Sequence, residues 1–411
     1  MDGLSCRFCG SPLHHAFADL GASPLSNDFL GADRLNAMEC YFPLKAYVCE
    51  SCYLVQLPEF ESPESIFSDY AYFSSFSESF LQHVRQYVDT VVDRFSLDRN
   101  SQVVEIASND GYLLQYFKPH GVPIYGIEPA ANVAKVAEER GVPSVVDFFG
   151  EQTARRLATE RGLANLIVGN NVLAHVPDLN DFVSGIKQLL AAGGVVTMEF
   201  PHLMQLMELN QYDTIYHEHF SYFSFLTVTK IFAHHDLRIF DVEEIWTHGG
   251  SLRVYACHVD DAEKIGTDRV GALSTREQEA GYGQLSHYLQ FQEQVDRQKR
   301  ALLRFLIDAK DSGQLVVGYG APAKGNTLLN YCGIRTDLLT YTVDRSPHKQ
   351  GLYLPGTRIP IFAPERILET QPDYVLILPW NIKYEVMEQM AEIRQWGGRF
   401  VIPIPEVQVC S

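Results

Sequence analysis

The chain of 411 residues is too long for one ordinary hydrophobic core, so its length predicts two or three domains. It is 46% hydrophobic and 20% charged and has no apolar run near the ~20 residues that a membrane span needs, which places it among soluble globular proteins. A formal net charge of −18, unbroken by any Lys/Arg cluster, argues against nucleic acid as a partner and leaves small anions only where a helix N-terminus or a few cations reverse the field.

The first stretch, MDGLSCRFCG, has no basic segment followed by an apolar one, so no signal peptide is expected and the cytoplasm is the expected location. Eight cysteines are too few and too uneven for a disulfide scaffold, yet four are paired as Cys6-x-x-Cys9 and Cys49-x-x-Cys52. Two such knuckles suit tetrahedral zinc, and four protein ligands leave no open position for a substrate. The expected role is therefore to fold a segment too small for its own core, over residues 1–67, with the LGASPLSNDFL segment looping out between the knuckles. A redox dithiol is the competing reading, weakened because neither knuckle stands between a strand and a helix. Cys40, outside both pairs, is expected to be buried rather than ligating.

After this module, helical periodicity begins at Ser79, and DYAYFSSFS before it gathers aromatics and hydroxyls. Tyr70, Tyr72 and Ser74 are candidates to roof a cleft, against the alternative of an aromatic seam between domains. SQVVEIASNDGYLLQYF then reads as a buried strand, a small-residue turn and a helix from about Tyr112. Such a turn lets a cofactor approach the backbone, which makes Glu105, Ala107, Ser108, Asn109 and Gly111 binding candidates. Glu128 ends the next strand, seventeen residues beyond Gly111, placed to accept ribose hydroxyls. Asp147 and Phe148 suit an adenine amino group and ring face, and a fourth strand opens into Asn170, Asn171 and His175. These stations in register form the class I methyltransferase pattern for S-adenosylmethionine (SAM). GVVTMEFP, RIFDVEEIW and GGSLRVYACH complete the expected α/β sheet, the last two as an antiparallel hairpin, giving a methyltransferase domain over 68–258.

A polar helical stretch opens the last region, 259–411, and its glutamates and lysines read mostly as a solvated face. QLVVGYGAPAKGNTLLNY then reads as strand, glycine turn and helix, with Pro322 near the helix start. Gly318-x-Gly320-x-x-Ala323 satisfies a dinucleotide fingerprint, and Asp344 closes the next strand twenty-one residues past Ala323. This predicts a second Rossmann-like domain.

Taken with EIASNDGYLL, NNVLAHVPD, YHEHFSYFS and HGGSLRVYA, the chain resembles, over essentially its whole length, the sugar C-methyltransferases that act at C3 of TDP-linked 4-keto sugars in antibiotic biosynthesis. The resemblance implies SAM and structural zinc as cofactors and a TDP-linked keto-sugar as substrate; oligomeric state is left open, a monomer being compatible. It places the active-site run on Tyr216, Glu218 and His219, and a further histidine on His175. Forming a C–C bond beside a C4 ketone requires removal of an α-proton, for which a neutral imidazole is suited, and His219 is the expected base. Glu218 is expected to orient an imidazole or hold a sugar hydroxyl, and Tyr216 and His175 to donate to the enolate oxygen. The resemblance also implies that the C-terminal domain walls the sugar-nucleotide cleft, with Lys324 and Asn326 on the diphosphate; a merely exposed Lys324 is the plainer alternative. Ser251 and Arg253 are candidate substrate contacts, although a strand hairpin explains them nearly as well. Competing readings are a metal site on His217 and His219, which share a face if the run is a strand, a structural polar cluster, and a bifunctional NAD(P)H ketoreductase. An O- or N-methyltransferase and a non-catalytic zinc scaffold are the remaining alternatives.

Overall fold

The computed structural model describes residues 4–62 and 78–410. Three sheets organise them. In the N-terminal segment, β1 (His15–Ser23), β2 (Phe42–Val48) and β3 (Val55–Gln56) form an antiparallel ribbon. Strict alternation in β2 turns Leu44, Ala46 and Val48 inward, the period-two pattern of a half-buried strand. The LGAS part of the segment expected to loop out belongs to β1. Cys40 is exposed, contrary to expectation, because it lies in irregular backbone just before β2.

The second sheet contains β4 (Val103–Ile106), β5 (Ile124–Ile127), β6 (Ser144–Val145), β7 (Ala164–Asn170) and β8 (Leu190–Pro201), all parallel. β9 (Ser221–Tyr222) leaves this region and pairs with β3, so the strand after the HEHF run belongs to the zinc module's sheet. β10 (Leu237–Ile245) and β11 (Ser251–His258) close the second sheet as the expected antiparallel hairpin, in the order β10-β11-β8-β7-β4-β5-β6. All four residues of β4 are buried, as a strand covered on both faces must be. Strand order reverses at β4, with β5 on one side and β7 on the other, and a ligand crevice opens at the carboxyl end of such a switch point.

The third sheet, ordered β14-β13-β12-β15-β16-β17, comprises β12 (Val316–Tyr319), β13 (Thr342–Val343), β14 (Ile361–Phe362), β15 (Tyr374–Ile377), β16 (Arg399–Ile402) and an antiparallel β17 (Gln408–Cys410). Its own switch point lies between β12 and β15. Packing joins the modules: Phe17 of β1 stacks on Phe291 of the helix Phe291–Asp311 with centroids 4.7 Å apart, and Leu30 and Tyr353 exchange backbone hydrogen bonds.

Two helical expectations are corrected. The segment after the glycine turn is a 3-10 helix, Leu114–His120, containing Pro119, whose missing N–H interrupts any α-helical ladder. The long polar stretch is broken into Asp268–Glu279, Leu285–Tyr288 and Phe291–Asp311, with Gly281 at φ +99° in the first break. Within it Glu277 is fully buried rather than solvated: it accepts from the backbone N–H groups of Phe225 and Leu226 and meets His202 at 2.6 Å. It thereby satisfies orphan donors at the start of the helix Phe225–His234.

Candidate active site

The four knuckle thiols converge, with all sulfurs within 4.8 Å of one another. Cys6 and Cys52 are 3.6 Å apart and Cys9 and Cys49 3.5 Å, close to the ~3.8 Å separation of sulfurs on a tetrahedron with Zn–S bonds of ~2.3 Å. Gln56 donates to Cys6 Sγ at 3.2 Å, the kind of second contact that steadies a thiolate ligand. The donor set and its spacing fit structural zinc.

At the crevice of the second sheet, the turn after β4 holds Ala107, Asn109 and Gly111 at φ +57°, +48° and +75°. Two non-glycine residues in the left-handed region mark a turn held by its surroundings. Glu128 supplies part of that hold, accepting Asn109 N–H and Ala130 N–H at 2.9 Å each on separate oxygens. Each oxygen keeps a second lone pair. The Ser108 hydroxyl is buried without a hydrogen-bond partner among the described residues, and the buried Glu105 carboxyl and Asn170 amide both face the Tyr112 hydroxyl. Burial pushes the Glu105 carboxyl well above the usual range. Buried polar groups with unused hydrogen-bonding capacity gathered at a switch point are what a polar cofactor would satisfy, so these residues fit SAM. Farther along, Asp147 uses Oδ2 to accept from Thr153 and Arg156, and Phe148 is 36% exposed.

The run from Asp213 to Phe220 is a 3-10 turn followed by a tight reversal, not a strand, with His219 N–H donating to Tyr216 O at 2.9 Å. His217 therefore points away from His219: its Nε2 meets the carbonyl of Pro43 at 3.2 Å and its ring lies edge-on to Phe42 and Phe60. Among the described residues the only metal-competent cluster is the four cysteines.

His219 Nδ1 donates to Thr214 O at 3.0 Å, since a carbonyl can only accept. In the neutral ring Nε2 is then the lone pair, and it accepts from the Tyr216 hydroxyl at 2.8 Å. His175 Nδ1 likewise donates to the main-chain carbonyl of Glu218 at 2.7 Å, a contact that does not involve the Glu218 carboxylate. That carboxylate accepts from Asn27 of the N-terminal module at 2.6 Å, and burial raises it to about 7. The two rings lie 4.7 Å apart, and burial keeps both neutral, His175 down to about 4 and His219 well below the ordinary range. With Nδ1 protonated, the Nε2 atom of His175 is an acceptor, which corrects the expectation that it donates to an oxyanion.

The third sheet's switch point delivers the opposite wall. Lys324, in the first turn of the helix Ala323–Cys332, lies 4.4 Å over the Trp380 ring and donates to Asn381 at 2.6 Å; both partners follow β15. Trp380 Nε1 donates to Asp213 Oδ2 at 2.7 Å, next to the Thr214 that holds His219. A Cβ on Gly249 would meet Trp380 at 2.7 Å, so the HGGS turn also seats here, with His248 at φ +56°.

The other expected substrate contacts are engaged within the protein. Asn326 donates to Ser26 O at 2.6 Å, and Ser251 donates to Thr247 O at 2.9 Å. Arg253, the register partner of Glu199, binds that fully buried carboxylate and also Glu243 at 3.1 Å. Truncation to Arg253→Met therefore strands the Glu199 charge and should lower unfolding free energy by about 3–5 kcal/mol in urea titrations. A loss within about 0.5 kcal/mol would show that the pair is not structural. Tyr70 and Tyr72, with Ser74, lie outside the described residues. Asn27, Asp213, Trp380 and Asn381 were not anticipated; Asp213 opens the same DTIYHEHF run, whereas nothing local marks Asn27. Asp344 accepts backbone N–H groups of Ala321 and Ser346 at 2.7 and 2.8 Å, so the acid of the dinucleotide fingerprint serves its own turn.

Three family descriptions match the chain in order: "Putative zinc binding domain" over residues 6–67, "Methyltransferase domain" over 80–242 and "C-methyltransferase C-terminal domain" over 246–405. C-methyltransferase NovU of Streptomyces niveus is 36% identical over 406 residues, covering 99% of this chain and 96% of that protein. The chain belongs to the C-methyltransferase family. Solved structures similar to part of it include a SAM-dependent methyltransferase from Anabaena variabilis (15% identity, 43% of this chain and 85% of that one, TM-score 0.36) and magnesium protoporphyrin IX methyltransferase from Synechocystis with bound SAH (16%, 43% and 82%, 0.35). This C-methyltransferase is SAM-dependent and carries structural zinc. Among its described residues no helix is long and apolar enough to cross a membrane.

Proposed function

We propose that this C-methyltransferase methylates C3 of a TDP-linked 4-keto deoxysugar through an enolate, with His219 as the base. The observation that carries the reading is the pair of neutral imidazoles, each tautomer set by a backbone carbonyl that takes the Nδ1 proton and makes Nε2 the basic nitrogen. A neutral, desolvated imidazole of fixed orientation removes a proton next to a ketone without a metal. Bound SAM supplies an electrophilic methyl group on sulfur. Glu128 would hold its ribose, Asp147 and Phe148 its adenine, and the Glu105 and Asn170 groups the rest of the cradle. Tyr216, donating to His219 Nε2, has to yield that lone pair when the substrate proton arrives. Glu218, fixed by Asn27 and raised to about 7, is suited to a sugar hydroxyl.

Incubation with a TDP-linked 4-keto-6-deoxy sugar in D2O without SAM tests this directly by NMR. Deuterium should enter at C3 without methyl transfer. Label at C5, which the same ketone acidifies, would keep the C-methylation reading and move the position. No exchange at either carbon, with O- or N-methyl product on adding SAM, would overturn it.

A further inference from the structure

An enolate needs positive charge or hydrogen-bond donors at its oxygen as the proton leaves. Of the residues of the HEHF run and His175, only the Tyr216 hydroxyl is released to donate there, once it yields His219 Nε2, and none of them supplies positive charge. His175 and His219 direct their N–H groups into backbone carbonyls, and the Tyr216 hydroxyl proton is directed at His219. Glu218 is a carboxyl that takes a bond from Asn27.

Among the described residues, the opposite wall carries a cation, Lys324. Its helix is docked on the catalytic run, with Thr327 donating to Ile215 O at 3.1 Å, and its ammonium rests on Trp380, whose indole holds Asp213. The ammonium is thus tied, through Trp380 and Asp213, to the loop that carries His219. Burial lowers the Lys324 ammonium to about 8 and the Asp213 charge opposes that fall, so it remains a cation at neutral pH. Desolvation is the first cause of the low proton affinity of His219, followed by the His175 charge, with smaller contributions from His248 and Lys324, which puts the Lys324 ammonium within electrostatic reach of the imidazole.

We propose that Lys324 is a catalytic residue: its ammonium, brought across the cleft by the C-terminal sheet, stabilises the enolate oxygen formed when the C3 proton leaves. This rests on the enolate reading above and reassigns Lys324 from the diphosphate to the reacting ketone. The C3–H bond breaks, its proton goes to His219 Nε2 and its electron pair becomes the C3–C4 double bond, with charge on the C4 oxygen beside Lys324. The pair then returns through C3 to form the new C–C bond, the C4 carbonyl is restored, and the electrons of the broken S–CH3 bond stay on sulfur. The C-terminal domain therefore takes part in the chemistry besides walling the cleft.

The test compares wild type with Lys324→Met and Lys324→Arg in three readouts: kcat, C3 exchange in D2O, and calorimetric affinity for TDP and SAM. Lys324→Met should lose about 10²- to 10³-fold in kcat and in exchange together, with TDP and SAM affinity unchanged, and Lys324→Arg should recover most of the exchange. Wild-type exchange in Lys324→Met, or lost TDP affinity with exchange intact at saturation, would overturn the proposal and restore the diphosphate role. Should Lys324→Met fail to bind SAM, Lys324→Gln keeps a donor for Asn381 without the charge and takes the same measurements. Absence of exchange in wild type overturns the enolate reading itself; exchange in wild type that persists in the variant overturns only the role of Lys324.

Discussion

His219→Asn lowers kcat by about 10²- to 10⁴-fold and leaves SAM affinity at the wild-type value. The side chain stays polar and similar in size, so it can still donate to Thr214 O and keep the 3-10 turn, while the basic Nε2 lone pair is gone. SAM affinity should not follow, because the cradle after β4 and the Glu128 contacts belong to the other end of the crevice. Calorimetry with SAM and a methyl-transfer assay on the TDP-sugar make the measurement. Turnover within a few-fold of wild type would remove His219 from the role of base and leave His175, whose tautomer is set in the same way, as the base to examine.

Removing zinc abolishes C-methylation while much of the SAM binding survives. Structural zinc in small domains contributes apparent binding energies of about 10–16 kcal/mol, and a four-cysteine site without metal leaves crowded thiols in a segment with little core of its own. The HEHF run depends on that segment: β9 pairs Tyr222 with Val55 and Ser221 with Gln56, three and four residues beyond Cys52. Asn27 also reaches Glu218 from there, and the carbonyl of Pro43 holds His217. Strands β4 and β7 are buried largely by their own sheet and helices, with Leu13 and Leu54 of the zinc module at one side of that core. Cys49→Ser, or exhaustive chelation, should therefore lower metal content, shift the melting temperature down and cost far more turnover than SAM affinity. Metal-free protein with full activity and an unchanged melt would overturn the structural role of the site.

The cysteine knuckles, the strand and turn stations of the cofactor domain, the terminal hairpin and the chemical identity of the HEHF run were legible in the sequence. Each is a local property: a fixed ligand spacing, a buried run of four residues, or an acid at a strand end. The same locality explains the failures. Whether His175 donates or accepts depends on the Glu218 carbonyl, 43 residues away; whether Arg253 meets substrate depends on Glu199 across a strand pair. The buried role of Glu277 depends on His202 and on a helix start more than fifty residues earlier.

By itself, then, the sequence determined the α/β class of the protein, its zinc-knuckle module and its cofactors, because spacing and hydrophobic period act over a few residues. Only the tertiary structure decided which nitrogen of each imidazole is protonated, that Asn27 and Trp380 join the site, and that Lys324 rests on the Trp380 that holds Asp213. Those outcomes rest on hydrogen bonds spanning 191 residues from Asn27 to Glu218 and 167 from Asp213 to Trp380, and such bonds exist only once separate sheets have packed and fixed the approach of their carboxyl ends.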